Sequence, residues 1–112
     1  MAGERILIVD DQKEATRLIR KHLESLNQGF IIDDVLSGEE ALLALGRVPL
    51  DLLIADVRLP GISGLEVLAK IRETSDVPVL IITDFSSYPI VITVYLKSCS
   101  RSVICGMVIA YA

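Results

Sequence analysis

Cysteine is scarce in this chain of 112 residues, with Cys99 and Cys105 the only two. They stand at no spacing used by metal-binding cysteines, which excludes a thiol metal site and fits a reduced, cytoplasmic setting. Histidine occurs once, as His22, and reads as a structural helix residue rather than a phosphoryl carrier. Positive charge is in deficit. Eleven Lys and Arg against 15 Asp and Glu leave a net charge of −4, which disfavours nucleic acid and anionic membrane as partners. Long apolar runs are missing too, so no segment reads as a bilayer span. The opening MAGERILIVDD has a short apolar run that ends in two acids, which does not read as a signal peptide. Acidic residues are missing after Asp84, while all three tyrosines and both cysteines come after it. The chain changes character there, so 1–84 is expected to form a core and 85–112 a β-rich tail of the same domain.

What is present is a globular, single-domain composition, 52% apolar and 23% charged. Ile6 to Val9 is an all-apolar, branched run that predicts a strand buried on both faces, as in a parallel sheet. From Gln12 to Asn27 the residues Ala15, Leu18, Ile19, Leu23 and Leu26 recur at helical spacing, with His22 on the same side. Phe30 to Leu36 predicts a second strand, placed at a sheet edge by its Asp33-Asp34 pair. That pair, like Glu39-Glu40, reads as solvated surface. Ser37 is an N-cap candidate for a helix running to about Leu45. Asp51 to Ala55 is a third strand, ending at Asp56. Ser63 and Glu66 form a capping box for a helix over 64–73, with Leu65, Leu68, Ala69 and Ile71 facing inward. Pro78 to Ile82 is a fourth strand, ending at Thr83-Asp84.

Strand and helix alternate four strands deep, which implies right-handed crossovers and a parallel sheet whose ligands bind beyond the strands' C-terminal ends. Three of those ends carry oxygen: Asp10 and Asp11, then Asp56, then Thr83. Neighbouring first and third strands would bring the three carboxylates together, where they repel unless a hard cation joins them. Oxygen-only ligands favour Mg²⁺, completed by a backbone carbonyl from the loop after Asp56. Such a site suits phosphoryl chemistry, with Asp56 as a carboxylate nucleophile and the Thr83 hydroxyl as a donor to phosphoryl oxygen.

The segments ILIVDDQ, DLLIADVRLPGISGLEVLAKIRE and VPVLIIT resemble the receiver domain of two-component response regulators, over about residues 4–84. DVRLPGISGLE is most similar to receivers of the transcription-regulator class. The resemblance implies a flavodoxin-like, doubly wound α/β fold. It implies that Asp56 is modified by a phosphoryl group from a sensor histidine kinase, and that Mg²⁺ is held by Asp11 directly, by Asp10 mainly through water, by Asp56 and by the Arg58 carbonyl. Thr83 would carry the signal outward. Beyond autophosphotransfer and autodephosphorylation, such a module is not an enzyme.

The tail departs from that family. Asp84 stands where receivers carry a small residue, and the position of their partner lysine falls near Cys105, with Lys97 too early. The usual helix, strand and helix are missing or altered. The β-branched runs Ile90 to Val94, Val103-Ile104 and Val108-Ile109 predict one or two strands instead, with turns at 86–89 and in KSCSRS. Uncovered apolar surface would then favour a dimer or larger homo-oligomer through the tail. A second reading keeps the receiver core as a non-switching interaction module that associates through this tail. A haloacid-type hydrolase would need an aspartate two residues after the nucleophile, where this chain has Arg58.

Overall fold

The computed structural model describes residues 3–83, the last of them for its backbone alone, together with the backbone of two further strands, 90–95 and 106–111. The elements are β1 (Arg5–Val9), α1 (Lys13–Ser25), β2 (Ile31–Val35), α2 (Gly38–Arg47), β3 (Leu52–Asp56), α3 (Gly64–Ile71), β4 (Val79–Thr83), β5 (Ile90–Tyr95) and β6 (Gly106–Tyr111). They form one sheet in the order β2-β1-β3-β4-β5-β6. The first four strands are parallel and the last two antiparallel.

The crossover through α1 runs one way across the sheet, and those through α2 and α3 run the other. Right-handed connections therefore place α1 on one face and α2 with α3 on the opposite one. The doubly wound expectation holds for these four strands, and β2 lies at the edge as its acid pair predicted. Leu7, Val9, Leu53, Ala55, Val79 and Ile81 point to the α2/α3 face and close a core with Ala41, Val67, Leu68 and Ile71. Ile6, Ile8 and Ile54, of opposite parity, are buried on the α1 face.

Both helix caps expected from the sequence are formed. Ser37 Oγ accepts the Glu40 N–H at 3.2 Å, and Ser63 Oγ accepts the Glu66 N–H at 3.2 Å. The helix faces differ from expectation at particular residues. In α3 the buried set is Gly64, Val67, Leu68 and Ile71. That is one stripe at i, i+3, i+4 and i+7, which leaves Leu65 47% exposed and Ala69 outward. In α1 the inward side runs through Ala15, Thr16, Ile19 and Leu23. Leu18 lies about a third of a turn away from its centre, and Leu26 is the C-cap, beyond the last turn. Both are more than half exposed, and His22 is exposed as well.

The tail forms two strands, as its β-branched runs predicted. The expected turns at 86–89 and in KSCSRS, and the Val103-Ile104 run, lie outside the described residues. Chain length explains the antiparallel direction of both strands. Only positions 84–89 separate β4 from β5, and only 96–105 separate β5 from β6, whereas a parallel return needs a dozen or more residues.

Leu53 is fully buried and Leu65 is not, so the two leucines should respond differently to truncation. Leu53→Ala is expected to lower unfolding free energy by about 2–5 kcal/mol. Leu65→Ala is expected to stay within about 0.5 kcal/mol. Urea denaturation followed by circular dichroism measures both.

Candidate metal centre at the sheet rim

β1 and β3 are direct neighbours, with Val9 opposite Ala55. Asp10, which follows β1, and Asp56, which ends β3, therefore leave the sheet side by side. The ladder also carries past the strand ends. The Asp10 N–H donates to Val35 O at 3.2 Å, and the Val57 N–H donates to Ile82 O at 3.1 Å. These bonds hold the backbone under both carboxylates, so the position of each acid is fixed by the sheet rather than by a loose loop.

The same local device orients both side chains. Asp10 Oδ1 accepts the Gln12 N–H at 2.9 Å, and Asp56 Oδ1 accepts the Arg58 N–H at 2.9 Å. Each is an aspartate bonded to the backbone two residues on, a turn that Asp forms readily. Asp10 is buried at 5% exposure, Asp56 is half-buried and Asp11 is exposed. One oxygen from each of the three lies within 4.8 Å of the others, a spacing that a single cation could span.

Two carboxylates at 4.8 Å repel by roughly 3 kcal/mol at an effective dielectric near 20. A hydrogen bond to a charged acceptor returns about 1.5–3 kcal/mol, so the two backbone donors together match the repulsion between Asp10 and Asp56, while the charge of Asp11 adds to it. A divalent cation removes the repulsion outright. All the side-chain donors are hard carboxylate oxygens, a set that fits Mg²⁺ better than a soft metal.

The loop after Asp56 depends on two glycines. Gly61 has φ +77°, a left-handed conformation that disfavours other residues, and the Glu39 carboxylate lies against it. Gly64 opens α3 directly on the Asp56 carbonyl, where a Cβ would collide with backbone that cannot swing aside. Its N–H donates to Val57 O at 3.2 Å.

The structure thus brings Asp10, Asp11 and Asp56 together. It places the Arg58 N–H on Asp56 while the Arg58 side chain is exposed. Thr83 is the last residue of β4, and its side chain lies outside the described set, as do Asp84, Lys97 and Cys105. The sequence reading had no role for Gln12, whose N–H orients Asp10. The two-residue spacing from each aspartate to its donor was the available signal. Glu39 and Glu40 likewise had no assigned role, yet Glu40 Oε2 accepts the Leu36 N–H at 2.9 Å at the start of α2. A cleft of about 400 Å³ lined by Leu42, Pro49, Lys70 and Ser75 opens at the opposite end of the sheet and belongs to no part of this site.

Gly64→Ala is expected to cost about 1–3 kcal/mol, because the added methyl must displace the Asp56 peptide. Ala is otherwise the better helix former, so a loss of stability in chemical denaturation isolates the contact.

Comparison with known proteins agrees with this fold. A profile of the response regulator receiver domain matches residues 6–101. The regulatory protein VanRc of Enterococcus gallinarum is 38% identical over 81 residues, covering 72% of this chain and 34% of its own length. The chain therefore spans about a third of that relative. Among solved structures, the response regulator TrrA of Thermotoga maritima in complex with Mg²⁺ and BeF is 39% identical, with a TM-score of 0.67 and coverage of 75% of this chain and 72% of that one. A structure of the histidine kinase ThkA in complex with TrrA also matches, at 39% identity, a TM-score of 0.66 and coverage of 74% and 71% respectively. Fold, rim carboxylates and relatives agree, and the chain belongs to the response regulator receiver domain family.

Proposed function

We propose that this domain is a phosphorylation switch in which Asp56 accepts a phosphoryl group from a phosphohistidine of a sensor histidine kinase. The observation that carries this reading is the meeting of Asp10, Asp11 and Asp56 at one rim, delivered by two neighbouring parallel strands. An Asp56 carboxylate oxygen attacks phosphorus as the bond to the imidazole nitrogen breaks. The imidazole keeps the electron pair, and the aspartate becomes an acyl phosphate. Asp10, Asp11, Asp56 and the Arg58 carbonyl would hold Mg²⁺, which supplies charge neutralisation for the phosphoryl oxygens. The Thr83 hydroxyl would donate to the phosphoryl group and carry the change outward. Hydrolysis of the acyl phosphate at the same site would reset the switch, and no other turnover is proposed.

The kinase partner is supported by the solved complex of a histidine kinase with TrrA, and Mg²⁺ by the Mg²⁺–BeF complex of that regulator. Residues 1–84 would act as the switching core and 85–112 as the tail. The tail extends the sheet by two strands, and we propose that copies associate through it. The family and its relatives favour the switch over an interaction module without phosphorylation.

Two measurements test this. MgCl₂ at about 100 times its dissociation constant should raise unfolding free energy by about 2.7 kcal/mol in a melt, and Asp11→Asn should remove the gain. With Mg²⁺ and acetyl phosphate, intact-mass spectrometry should show one phosphoryl adduct that is labile to base and missing in Asp56→Asn. An adduct that persists in Asp56→Asn, or none at saturating donor, overturns the reading.

A further inference from the structure

We propose that the β2 edge is a latent strand-pairing surface held shut by Arg20, and that its occupant when opened is the β2 edge of a second copy. β2 is the outer strand on its side of the sheet. In its ladder with β1, the Ile31 N–H donates to Glu4 O at 2.9 Å, and Val35 O accepts the Asp10 N–H at 3.2 Å. Parallel pairing alternates, so residues 31, 33 and 35 turn both backbone groups toward β1. Ile32 and Asp34 turn theirs outward, which is the template that an added strand would use.

Arg20 of α1 reaches over that outward side. Its Nη1 donates to Ile32 O at 3.1 Å, and its Nη2 donates to Asp34 Oδ2 at 2.7 Å. One guanidinium thus takes the outward carbonyl that an incoming N–H would need, and it is anchored there by the strand's own carboxylate. The Arg20 side chain is half-buried at 33% exposure, and Asp34 is exposed at 42%. Asp33 is a second barrier. It is engaged by Arg5 at 3.4 Å, and the two copies of Asp33 would face each other in a pairing whose two-fold axis lies beside position 33.

The second copy is the occupant because the outward groups are self-complementary. With a two-fold axis beside position 33, Ile32 of one copy lies opposite Asp34 of the other. Both residues present outward N–H and C=O groups, so the pair can exchange two hydrogen bonds on each side of the axis. The acid pair in this strand is exposed, as its reading as solvated surface expected, and in this proposal it gains a further role. Asp34 holds the guard in place, and Asp33 sets like charges across the arrangement centred on position 33.

Light scattering on the full chain tests this against wild type at matched concentrations. Arg20→Ala with Asp33→Asn and Asp34→Asn should show a concentration-dependent rise toward about twice the wild-type mass. Adding Ile32→Pro should restore the wild-type mass, because it removes an outward N–H and no ladder bond. Far-UV circular dichroism verifies the fold, and Arg20→Gln with the same two Asn changes serves if the Ala variant unfolds. An unchanged mass in the open variant overturns the proposal, as does a rise that Ile32→Pro leaves in place.

Discussion

The parallel pairing of β1 with β3 is the constraint on which the rest depends. It places the ends of two non-consecutive strands in register, so two acids far apart in sequence leave the sheet together. The apolar runs exist to make that pairing. Ile6 to Val9 and Leu53 to Ala55 are almost wholly buried, and their contacts with α2 and α3 on one face and with the α1 side on the other keep the strands adjacent. Hydrophobic burial worth about 1.5–3 kcal/mol per large side chain is what holds like charges a few ångströms apart. Asp56 therefore stands at the end of a buried strand because that is where the core can force a carboxylate against two others.

That repulsion is managed locally rather than relieved. Backbone donors from Gln12 and Arg58 satisfy part of each acid and fix its direction, which also leaves the site organised for a cation. The glycines serve the same end. Gly64 lets α3 start in contact with the Asp56 carbonyl, and Gly61 lets the intervening loop turn back through a conformation that a Cβ would strain. Glycine at either place is required by geometry and not by helix or loop propensity.

Much of this was legible because the signals were periodic or punctuated. The four apolar runs, the Ser37 and Ser63 caps and the acids at strand ends each follow from local chemistry. Helix faces were less legible. Leu18, Leu65 and Ala69 satisfy an apolar spacing rule, but which stripe turns inward is set by the sheet that the helix meets, and that is tertiary information. The ion pairs of Arg5 with Asp33 and Arg20 with Asp34 were invisible for the same reason, since they join residues on separate elements. Backbone donors such as the Gln12 N–H leave no mark in a list of side chains.

The direction of β5 bears on what the sheet can bring to the rim carboxylates. A fifth strand parallel to β4 would bring its C-terminal end to the rim, where a lysine could meet a phosphoryl oxygen. An antiparallel β5 reverses this. Its N-terminal end lies at the rim, with Val91 opposite Thr83, and Tyr95 lies opposite Val79 at the far end. The connection over 84–89 is too short to permit the parallel alternative, so the short spacing alone sets the direction of β5. The carboxylate cluster draws on β1 and β3 alone and is untouched by that change. The geometry of the rim carboxylates therefore does not depend on which way β5 runs.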